Sequence, residues 1–165
     1  MIPEYFTEET YKVFLDYLYS LQDLKYKSFH SKLIMDDNLI GVRTPNLKII
    51  ASQIAQNDYI DFIKYNTKST YEEKVLYGLV LGYLEIDFNE CLVLLKEFIS
   101  FIDNWAINDI ICANMKCFKK NQEKGHQFIM DCIHSNNPWS IRFGLVLLLD
   151  FYIGDIYIDK ILDIC

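Results

Sequence analysis

The chain has 165 residues, 52% hydrophobic and 15% aromatic, which excludes a disordered chain and suits one domain or one short repeat array. Only 6 Gly and 3 Pro are present, too few for the frequent turns of a β-sandwich or small barrel. A net charge of −7 excludes a uniformly basic nucleic-acid binder, because phosphate must be met by Lys and Arg. Residues Met1 to Glu9 hold neither a basic nor an apolar leader segment, and the apolar run Phe143 to Leu149 falls well short of the ~20 residues of a membrane span. A cytoplasmic protein is expected. The five cysteines are odd in number and unpaired in spacing, so reduced buried thiols are expected too.

Helix-start signals recur along the chain. Thr7 precedes two acids, and Val13, Leu15, Tyr17, Leu18 and Leu21 follow with helical spacing. Thr44-Pro45 sets a capping hydroxyl before a proline, and Asp58 precedes Ile60, Phe62 and Ile63. Thr70 and Glu73 form a capping box, and Asp87 with Glu90 repeats the spacing. Leu92, Leu95, Phe98, Ile99 and Ile102 continue the helical period. Asn104, Asn121, Asn137-Pro138 and Asp155 supply the remaining caps. No hairpin dipeptide joins any two apolar runs, so the chain reads as all-α.

The caps are themselves periodic. One set falls at positions 70, 104 and 137, and an interleaved set at 87, 121 and 155. A period of about 34 residues is that of a helix-pair repeat. The predicted architecture is a HEAT-like helical-repeat solenoid of stacked antiparallel helix pairs, one domain over residues 1–165. The first 65 residues follow the same theme with looser spacing.

Repeat phase singles out a few side chains. Asp109 stands five residues after its cap, and Arg142 five after its own. They occupy equivalent positions on helices that would pack ~8–10 Å apart. Trp105 lies one turn before Asp109 on the same face, and Lys74, four after its cap, falls near the same row. Spacing leaves two readings open: a structural ion pair between repeats beside a core Trp, or a cleft. Cys112, Cys117, His126, Cys132 and His134 fit no zinc spacing, so no metal is expected. Lys116, Lys119 and Lys120 read as a solvated face.

Asp103-Asn104-Trp105-Ala106-Ile107-Asn108-Asp109-Ile110-Ile111-Cys112 resembles the Trp–Asp motif of the DNA alkylation repair family, the AlkD-like HEAT-repeat glycosylases. Four further stretches resemble that family in the expected order. They are Leu21 to Leu33, the turn Gly41-Val42-Arg43-Thr44-Pro45, the pieces Tyr71 to Lys74 and Gly78 to Tyr83, and Trp139-Ser140-Ile141-Arg142. The resemblance implies a DNA glycosylase acting on cationic alkylated purines such as 3-methyladenine and 7-methylguanine in double-stranded DNA, without metal or cofactor. It implies that Asp109 stabilises the charge growing on the sugar and that Trp105 lays its ring against the cationic nucleotide. Arg142 would hold a backbone phosphate, with Arg43, Lys48 and Lys74 as further DNA contacts. It also implies a longer chain, whose later helices add a second Trp, so this one reads as shortened at its C-terminus. A non-catalytic relative that binds DNA structures or protein partners is the alternative.

Overall fold

The structure is a computed structural model that describes residues 1–153. Those residues form an all-α, helical-repeat fold of ten helices. They divide into two compact units, Met1–Glu85 and Ile86 onward.

The first unit holds α1 (Glu8–Ser20), α2 (Leu24–Ile34), α3 (Thr44–Gln56), α4 (Tyr59–Tyr65) and α5 (Tyr71–Tyr83). Phe6, Tyr11, Phe14 and Phe62 make an aromatic cluster, with Phe6 edge-on to Phe14 at 5.5 Å and to Phe62 at 5.2 Å. α5 is buried on nearly every side, from Tyr71 through Leu81, and α3 packs along it. The turn before α3 is fixed by Gly41, whose φ of +102° suits only glycine. A Cβ there would also meet the Lys27 Cβ at 2.7 Å.

The second unit holds α6 (Phe88–Ile99), α7 (Trp105–Cys112), α8 (Cys117–Lys120), α9 (Gln122–Ile133) and α10 (Pro138–Phe151). α10 packs against both α7 and α9. Gly144 permits the close approach to α9, since a Cβ would meet the Ile129 carbonyl at 3.0 Å. Phe118 lies edge-on to Phe88 at 5.3 Å, and Phe143, Leu147, Ile107 and Ile111 fill the centre.

The periodic caps at Thr70, Asp87, Asn104 and Asn137 all accept a first-turn N–H. Three details differ from the sequence reading. Thr44 is the first residue of α3 and caps nothing; Arg43 holds the cap position without a side-chain bond. Asn121 marks a helix start, but its amide donates backwards to the Cys117 carbonyl at 3.0 Å. Val13 is 58% exposed, because α1 buries the Tyr11–Phe14–Leu18 stripe instead. The Asp155 cap lies outside the described residues.

Candidate functional site

α7 is short, and its first turn is set by Asn104. The Asn104 Oδ1 accepts from the Ala106 and Ile107 N–H groups, each at 3.1 Å. Ala106, Ile107, Ile111 and Cys112 point into the unit. That phase turns Trp105, at the first helical position, and Asp109, one turn on, outward. Trp105 is 40% exposed, so its ring is reachable by a ligand and is not a core residue.

Arg142 comes from α10 and meets Asp109 as a fork. Its Nε donates to Oδ1 at 3.0 Å and its terminal nitrogen to Oδ2 at 2.7 Å. This is the bidentate form of a charge-assisted pair. Both side chains remain open to water, 35% for Asp109 and 42% for Arg142. The carboxylate pushes the guanidinium pKa further up. Burial raises the pKa of Asp150 on the same helix, and the charge of Asp109 adds to the rise. Cys112 lies beneath, and its thiol is pushed well up by burial, then by Asp150 and Asp109.

A fourth residue completes the arrangement. Asn108 is fully buried, and its Nδ2 donates to Asp109 Oδ1 at 3.0 Å. The same amide nitrogen sits 3.7 Å from the Cys112 sulfur, and Asn108 Oδ1 is enclosed with no hydrogen-bond partner. The Asp109 carboxylate therefore receives three N–H donors, two from Arg142 and one from Asn108. Repeat phase led to Asp109 and Arg142 but not to Asn108. Its signal was a polar residue on the buried side of an otherwise apolar helix.

The other sequence candidates belong to the first unit. Arg43 donates to Asp23 Oδ2 through Nε at 3.0 Å and through its terminal nitrogen at 2.8 Å. Its guanidinium also lies 5.4 Å over the Tyr26 ring. The Tyr26 amide first, and Arg43 second, hold the Asp23 carboxyl below its ordinary range. Lys48 is exposed on α3, and Lys74 is half-buried on α5. Among the described residues, no three His, Cys, Asp or Glu side chains are grouped to hold a metal ion.

The site can present a fixed carboxylate, an open indole face and a guanidinium to one ligand from outside. It suits electrostatic work on a positive centre beside a phosphate. The model of the family described as DNA alkylation repair enzyme matches residues 17–165. No curated protein and no solved structure matches the chain. The family match spans nearly the whole sequence and includes every candidate above, so the chain belongs to the DNA alkylation repair enzyme family.

Proposed function

We propose that the protein excises cationic N-alkylated purines from duplex DNA as a monofunctional glycosylase. The observation that carries this is the Asp109 carboxylate, oriented by three N–H donors yet open to water, one helical turn from an exposed Trp105. An N-alkylated purine already bears positive charge and leaves with the electrons of its glycosidic bond. Positive charge then grows on the sugar C1′ and its ring oxygen. A preorganised carboxylate lowers that barrier most where water is displaced. Asp109 also orients the water that attacks C1′ and accepts the proton that this water gives up. Trp105 offers its π face to the cationic nucleotide, a contact worth ~0.5–2 kcal/mol.

Arg142 has two partners to choose between. In the free protein it neutralises Asp109. On DNA it holds the phosphate flanking the lesion with the same fork. Lys48 and Lys74 add backbone contacts, as does Arg43 when it exchanges Asp23 for phosphate.

The closed Asp109–Arg142 fork favours a second reading, in which the pair is structural and the protein binds DNA without cutting. One experiment separates the two. Release of free methylated purines is measured from methylated duplex at low salt, for the chain and for Asp109→Asn. Release that falls at least 100-fold in the variant, with DNA binding kept, supports excision by Asp109. Release unchanged in the variant removes Asp109 from the chemistry, and no release from either leaves the binding reading.

A further inference from the structure

The outer face of α2 is apolar and basic at once. Leu24, Lys25, Ser28, Phe29, Lys32 and Leu33 are all exposed, while His30 and Ile34 on the other side are buried. Phe29, a large aromatic, is 66% exposed. The helix contains no acidic residue. Five of the six exposed residues line an open hollow of about 500 Å³. The face ends on Met35, which is 94% exposed and held at φ 54°.

α1 carries the complementary pattern. Glu9, Val13 and Asp16 are exposed on one face, with Tyr19 beyond them. Val13 follows Glu9 by four residues and Asp16 follows it by seven. Phe29 and Lys32 follow Lys25 by the same four and seven. Each triplet forms one stripe about two turns long, ~10.5 Å. One reads acid–apolar–acid and the other base–apolar–base. Lys12, the cation on the α1 face, is already paired with Glu8 at 2.8 Å.

We infer that these faces form a homodimer contact, with α1 of one copy seated on α2 of the other and the reverse contact made reciprocally. Apolar centres flanked by opposite charges at matched spacing are how paired helices set register. Duplex DNA has the charge for α2 but would leave the acidic stripe of α1 without a partner, whereas a second copy matches both stripes. An anionic membrane would present like charge to the rest of a −7 chain. A second copy also carries −7, but screening over ~8 Å leaves the local pairs to decide.

The test is sedimentation equilibrium of the 165-residue chain from 1 to 200 µM at about 0.15 M salt, where that screening holds. A monomer–dimer equilibrium is expected. Lys25→Glu with Lys32→Glu should weaken it at least tenfold, and so should Glu9→Lys with Asp16→Lys. Mixing the two double variants should restore dimers, because each then meets opposite charge at both contacts. A misfolded variant cannot be rescued by mixing, so the mixture controls for folding. A chain that stays monomeric to 200 µM overturns the inference, as do dimers indifferent to both reversals. Monomers that instead bind anionic vesicles or duplex DNA through Lys25 and Lys32 overturn it in favour of those occupants.

Discussion

Glu72 is enclosed within the first unit, yet it carries a carboxylate. Its oxygens accept from the backbone N–H groups of Ile40 and Gly41, each at 2.7 Å, and of Val42 at 3.0 Å. Three successive amides aimed at one anion fix the loop that leads into α3 and so place Arg43 and Lys48. Glu72→Ala leaves all three amides buried without an acceptor, at about 1–3 kcal/mol for each unsatisfied group. A loss of about 3 kcal/mol or more in urea unfolding is expected, and a loss below about 1 kcal/mol would show that water replaces the carboxylate. His30 behaves in the opposite sense. It is stacked on Tyr26 at 5.0 Å and lies edge-on to Tyr71, also at 5.0 Å, with Nε2 buried and unpartnered. Burial lowers its pKa, so the unfolded chain takes up the proton first, near the ordinary value of about 6.5. The stability from a neutral His30 is whole above pH ~6.5 and declines as pH falls from there through the folded pKa. Urea midpoints between pH 7.5 and 5 should fall in the native chain and fall less in His30→Phe. Parallel curves for the two would exclude His30 as the cause.

At the scale of the element, α7 matters most, because eight residues carry both Trp105 and Asp109. A helix so short has little stability of its own and depends on its cap and its packing. Asn104→Ala removes the acceptor for two first-turn amides and should cost about 1 kcal/mol, seen as a lower melting temperature. Asn104→Asp should recover it, since the carboxylate caps as well; a variant that melts like Asn104→Ala would mean that packing, not the cap, decides. Such caps were legible in the sequence because they are local. Thr70, Asp87, Asn104 and Asn137 bond to residues two or three positions on, and their period announced the repeat. Asp109 and Arg142, 33 residues apart, were legible through that period as equivalent positions. Glu72 was not, because its partners lie 30 to 32 residues away in a loop whose path no periodicity records. Asn108 was hidden for a related reason: residues adjacent in a helix face different ways, and only the folded α7 shows its amide reaching Asp109. Val13 misled the reading because Tyr11 and Phe14 offered a larger competing stripe.

Across the whole molecule the question is how a −7 chain of a DNA repair family would hold DNA. Charge that opposes binding at long range must be offset by cations that each meet a phosphate. Arg43, Lys48, Lys74 and Arg142 are the candidates; in the free protein Arg43 is engaged with Asp23 and Arg142 with Asp109. On DNA each engaged arginine would exchange a carboxylate for a phosphate, and so would contribute less net affinity than an exposed lysine such as Lys48. Counterion release is unaffected by that exchange and counts phosphates directly. Four contacts give a log–log salt slope of about −3.6, hence a loss on the order of 100-fold between 50 and 200 mM salt. Arg142→Gln should make the slope shallower by about one. It also leaves Asp109 without its guanidinium, so excision per bound complex should change more than binding does. Asp23→Asn should strengthen binding slightly by releasing Arg43 while leaving the slope in place. Fluorescence anisotropy with a labelled duplex across the salt range reads all three. A slope near zero would mean that phosphate is not the ligand and that the exposed Trp105 serves a protein partner instead.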